Sequence, residues 1–169
     1  MRCIFILFAI LFVGLVYAST MSYVDIWGTI PNIILVFVCC LSVICSYNKA
    51  LVIVPFAAIV ADLLTSDPLG LSLVSMAPII LLVVLFRNIV PDHKFISVIG
   101  VTVIGSLIYG FISLLVLAST GTYIPVVESI YHVIILPAIV NAGFALVCYP
   151  LISLVATKFL AEPFRLRSV

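Results

Sequence analysis

Two carboxylates five positions apart, Asp62 and Asp67, lie in the run Ala61-Asp62-Leu63-Leu64-Thr65-Ser66-Asp67-Pro68-Leu69-Gly70-Leu71 of a chain in which 8% of residues are charged. A carboxylate in such surroundings accepts amide hydrogen bonds, pairs with a cation or relays protons, and it needs one of these because an isolated charge in an apolar medium is costly. The five cysteines, Cys3, Cys39, Cys40, Cys45 and Cys148, form no Cys-x-x-Cys pair and no cluster with histidine, so they read as small buried hydrophobes. No Ser-His-Asp set, Gly-rich phosphate loop or pair of carboxylates on one helix face is present. Nothing in these patterns argues for an enzyme, a metal or a cofactor.

The elements that must position these groups are apolar to an extent that fixes their solvent. Hydrophobic residues make up 66% of the 169, and the mean hydropathy is +1.52. Such a composition implies an integral membrane protein of one membrane-embedded domain, whose contacts are with lipid and protein and not with nucleic acid. Spans of about 20 apolar residues are expected near 3–18, 32–47, 50–64, 69–86, 95–118 and 131–157. The expected fold is therefore an all-α bundle of six transmembrane helices, with the 50–64 segment short for a bilayer.

Basic residues fix the orientation. Arg2, Lys49, Arg87, Lys94, Lys158, Arg165 and Arg167 all fall before the first span, in every second connection or after the last, while the other connections carry Asp25, Asp67 and Glu128. Lys and Arg near span ends stay on the cytoplasmic side, so both termini are expected there. Residues 1–18 with Val16-Tyr17-Ala18-Ser19 also resemble a secretory signal, but retention keeps every basic connection on one face. His93 and His132 then fall at opposite interfaces and cannot form one site; solvation at headgroup level is their ordinary role.

Small residues recur at helical spacing: Ala57 and Ala61, then Thr102, Ser106 and Gly110, then Ala138 and Ala142. In lipid these permit close helix packing, and Asn141 is the natural interhelical hydrogen-bonding group between the last pair. Pro55, Pro78 and Pro137 should kink their spans. In the 61–71 run, Asp67 is expected to cap the fourth helix with Pro68 at its first position. Asp62, a turn inside the preceding helix end, sits at the unfavourable pole of that helix and wants a partner: an amide of the turn, another helix start or another protein.

The same run resembles the signature of the rod shape-determining protein MreD family, Asp-Leu-Leu, a polar turn, then Pro-Leu-Gly, carried here by Asp62, Asp67, Pro68, Leu69 and Gly70. Pro31-Asn32 opening the second span, and Asn141 through Tyr149-Pro150 before a basic tail, extend the similarity over about residues 28–165; Thr29-Ile30 stands where a basic residue often precedes the proline. The resemblance implies a non-enzymatic scaffold of the bacterial inner membrane, bound to the single span of an MreC-like partner. Through that partner it implies links to the MreB filament, a RodA-type glycosyltransferase and a class B penicillin-binding protein. On that reading the small-residue stripes dock the partner span, and Asp62 with residues 65–70 fixes its outer end. The rival expectation is the substrate-binding subunit of an energy-coupling-factor vitamin transporter. Tyr123, Glu128, Tyr131 and Trp27 could then line an outer pocket, although the bulky first segment, Ile4 to Phe12, does not suit close coupling.

Overall fold

The apolar runs fold as helices in a computed structural model that describes residues 2–20, 28–45, 47–65, 69–89, 94–119 and 129–160. Helices α1 (Arg2–Thr20), α2 (Ile33–Ile44), α3 (Tyr47–Leu64), α4 (Leu71–Ile89), α5 (Lys94–Ser119) and α6 (Leu136–Leu160) follow in order, and a π-helical turn, Ile130–Ile135, leads into α6. The described residues are thus all-helical, with no strand. Two helical stretches among them, Lys94–Ser119 and Ile130–Val155, are long and apolar enough to cross a membrane; Ile6–Ser19, Ile33–Ile44 and Leu71–Phe86 are shorter apolar helices.

The short element is the second helix and not the third. Helix α3 runs 18 residues, whereas α2 runs 12, about 18 Å at ~1.5 Å per residue. Both ends of α2 are set locally: Asn32 Oδ1 accepts from the Leu35 amide at 3.0 Å, and at the other end Cys45 is extended, its amide donating to Leu41 O at 2.8 Å. Nine of its twelve residues are buried. The remaining helices explain why: α1, α3, α4, α5 and α6 form an arc in that order, each packed on the next, and α2 touches all five from the centre.

The core is apolar, with Ile10, Ile34, Leu35, Met76 and Ile79 buried, yet polar side chains are buried within it while large apolar ones face outward. Ser42, Ser72, Ser75, Ser97, Thr102, Ser106, Ser113, Asn141 and Asp62 are buried, while Phe8, Phe12, Leu81 and Leu154 are each about two-thirds exposed. Exposed apolar side chains occur on α1, α3, α4, α5 and α6. The inward hydroxyls sit at helix contacts, as where Ser75 Oγ and Ser113 Oγ join α4 to α5 at 3.4 Å.

The small-residue stripes serve this internal packing. Ala57, Ala61, Thr102, Ser106, Gly110 and Ala138 are buried and Ala142 is half-buried, as expected of close helix packing. Gly110 is the tightest case. A Cβ there would lie 2.6 Å from the Val133 carbonyl oxygen, which belongs to the π-helical turn. That turn has a cause in the sequence: Pro137 lacks the amide that Val133 O would accept in an α-helix, and the amide of Leu136 reaches back to Tyr131 O instead. Pro137 therefore marks a junction and not a mid-helix kink, whereas Pro55 and Pro78 do lie inside α3 and α4.

Because the obstacle at Gly110 is backbone, Gly110→Ala should force α5 and the π-helical turn apart and destabilise the protein by about 1–3 kcal/mol. Gly105→Ala, whose Cβ would meet only ordinary contacts from 3.5 Å outward, should be nearly neutral. Unfolding of the two variants in detergent, followed side by side, checks this.

Candidate functional site

Helix α4 begins on acceptors that Asp62 supplies. Its Oδ2 accepts from the Gly70 amide and its Oδ1 from the Ser72 amide, both at 2.9 Å, and the side chain is 6% exposed. Asp62 thus caps α4, which runs from Leu71. Asp67 and Pro68 themselves lie outside the described residues. This also resolves why a carboxylate is tolerated in the last turn of α3: it reaches across to the positive end of α4, where a negative charge is favoured.

Thr65 and Gly70 are each held by local hydrogen bonds. Thr65 amide and Oγ1 donate back to Ala61 O at 2.9 and 3.0 Å, ending α3, and Gly70 O accepts from the Val74 amide at 3.0 Å, opening α4. Gly70 has φ +94°, the left-handed region, with nothing within 4 Å of where a Cβ would be. The demand for glycine is thus conformational and not steric. Leu69 stands 80% exposed at the tip, beside Leu63 at 71%.

A second polar centre ties α2, α5 and α6. Asn141 Oδ1 accepts from the Asn32 amide at 2.9 Å, and its Nδ2 donates to Ser106 Oγ at 3.0 Å. Asn141 is 2% exposed, so one buried amide side chain completes the start of α2 and anchors it to two other helices. Pro31 is buried next to it, with its carbonyl accepting from the Ile33 amide at 3.0 Å. Thr29 Oγ1 donates to His132 O at 3.2 Å, joining the segment before α2 to the π-helical turn.

Between these groups lies a cavity of about 310 Å³, where Tyr17 of α1 and Asn141 and Pro137 of α6, the two ends of the arc, meet over the start of α2. Gly28, Thr29, Asn32, Ser106, Tyr109 and His132 contribute to its wall. Tyr109 also connects the two centres, since its hydroxyl lies 3.3 Å from Ser72 Oγ, one residue's amide from Asp62.

The residues singled out by sequence thus divide. Asp62 and Gly70 meet at one centre, and Asn32 and Asn141 with Pro31 at the other. Pro150 is exposed on α6 and belongs to neither. Of the residues expected to line an outer pocket, Trp27, Tyr123 and Glu128 lie outside the described residues; Tyr131 is exposed and meets the His132 ring edge-on at 5.1 Å. Sequence reasoning passed over Ser72, Thr29 and Tyr109. Ser72 and Tyr109 carried a usable signal, being polar positions in otherwise apolar helical runs. Cys39, Cys40 and Cys45 are buried and Cys148 is half-buried, all as free thiols.

No protein-family model matches this chain, nor does any curated protein or solved structure.

Two substitution pairs test the site. Asp62→Ala should cost about 1–3 kcal/mol for each abandoned amide, with Asp62→Asn intermediate because one acceptor oxygen survives. Gly70→Ala should cost about 1–2 kcal/mol for the left-handed backbone, whereas Gly143→Ala, equally open but within helix α6, should be neutral or slightly stabilising. Chemical unfolding in one detergent ranks all four.

Proposed function

We propose that this chain is a six-span protein of the bacterial inner membrane, with both termini cytoplasmic, acting as a non-enzymatic scaffold of the cell-elongation machinery. The observation that carries the reading is the 61–71 segment. In it Asp62 accepts the amides that open α4 and Leu69 is exposed, and it is the part of the sequence that resembles the MreD family.

Support for the lipid setting comes from the exposed faces: Leu, Ile and Phe side chains stand out on five helices, an extent of apolar surface soluble monomers avoid, while Asp62, Asn141 and Ser106 are hydrogen-bonded inside. Basic residues occupy the beginnings of α1, α3 and α5 and the ends of α4 and α6, the charge asymmetry of alternating spans. A 12-residue α2 fits this setting because it packs against all five other helices.

The partner in this reading is the single span of an MreC-like protein, and through it the MreB filament, a RodA-type glycosyltransferase and a class B penicillin-binding protein. With the small-residue stripes closed inside, the partner span meets the exposed edge of α3 and α4 beside the turn, where Leu63, Leu69 and Leu73 stand out. The cavity favours a second reading, a substrate-binding subunit of an energy-coupling-factor transporter. The outward face of α1, with Phe8 and Phe12 exposed, weighs against it because bulky side chains hinder close helix coupling.

In-cell crosslinking followed by purification and mass spectrometry separates the two. An MreC-like bitopic protein and wall synthases should co-purify, and Leu69→Asp or Gly70→Val should reduce their recovery while the chain itself still inserts. Recovery of transporter ATPases with a vitamin-like molecule would instead establish the second reading.

A further inference from the structure

The cavity at the start of α2 has a chemical character that neither the packing nor the partner reading uses. At about 310 Å³ it falls at the lower end of the ~300–1,000 Å³ range of small-molecule pockets and has room for about ten waters at ~30 Å³ each. Among the described residues its wall holds hydroxyl, amide and imidazole groups and no Lys, Arg, Asp or Glu. These groups offer hydrogen bonds without a carboxylate, ammonium or guanidinium countercharge, which favours an uncharged ligand.

Several wall groups have hydrogen-bonding capacity left over. Asn32 uses its Oδ1 to cap α2, and its Nδ2 has no partner among the described residues. Thr29 Oγ1 donates to His132 O and keeps its lone pairs. His132 is exposed, and its ring makes an edge contact with Tyr131 and no hydrogen bond among the described residues. Donors and acceptors therefore both line a small space to which Tyr17 and Tyr109 also contribute. That combination matches a molecule whose rim bears hydroxyls, each both donor and acceptor, and whose faces are C–H.

We propose that this cavity is a binding site for one uncharged hexose ring, either a free sugar or the headgroup of a glycolipid. The proposal stands apart from the scaffold reading, since a partner span on the α3–α4 edge and a sugar over α2 use different surfaces.

The test uses the full chain in an oligo-ethylene-glycol ether detergent, which carries no sugar headgroup to compete. Methyl β-glucopyranoside should raise the unfolding temperature saturably and change the emission of Trp27, the sole tryptophan and the residue before Gly28 in sequence. His132→Ala should weaken the apparent Kd about tenfold, with Tyr109→Phe as a second variant, each read against its own sugar-free unfolding temperature. Glucuronate at equal concentration should not saturate. A response that never saturates, that is identical in both variants, or that glucuronate reproduces would overturn the assignment. Native mass spectrometry of protein extracted from its own membrane then tells the sources apart, a hexose mass marking the free sugar and a lipid-sized mass the headgroup.

Discussion

Amides at helix beginnings have no partner within their own helix, and the rest of this molecule is arranged around that constraint. Helix α4 opens on the carboxylate of Asp62, sent across from the end of α3. Helix α2 opens on the side-chain oxygen of Asn141, sent across from α6, together with its own Asn32. Each device does two things at once. It fills acceptor positions that would otherwise cost about 1–3 kcal/mol apiece when left empty, and it fastens one helix end to another helix. In an interior with few ionisable groups, this is how register between helices is set.

The two centres are not independent. Tyr109 lies against Ser72 at one and lines the cavity at the other, while Ser106, one helical turn earlier on α5, receives the hydrogen bond from Asn141. Helix α5 thus runs past both, and Gly110 on it lets the π-helical turn approach to backbone contact. The wide turn follows from Pro137, whose missing amide frees the Val133 carbonyl. A single proline and a single glycine therefore shape the wall of the cavity, although neither contributes a polar side chain to it.

The outward faces follow the opposite logic. Interior positions include polar groups where helices are joined and small ones where they approach closely, while Leu, Ile and Phe are found both in the core and on the outside. Helix α2 shows the role of the core: at 12 residues it is held by packing against five neighbours. Leu69 is among the most exposed of the apolar side chains, directly before Gly70 with its left-handed φ.

Local pattern determined the helices: each of the six apolar runs folds as one, because length and apolar composition are properties of a segment by itself. The sequence also marked Asp62 as needing a partner and Asn141 as an interhelical donor, since a lone polar group in an apolar helix has no local way to be satisfied. It did not show that α4 takes acceptors from a residue eight positions before Gly70, because no local rule for a helix start reaches that far. It marked the small-residue stripes as sites of close helix packing, and they lie inside on α3, α5 and α6. Tertiary structure alone decided which helix lies at the centre, which amide meets which side chain, and that Tyr17, Asn32, Tyr109 and His132 surround one cavity. Those outcomes depend on contacts between residues up to 109 positions apart, such as Asn32 with Asn141, and no periodicity within a single segment encodes them.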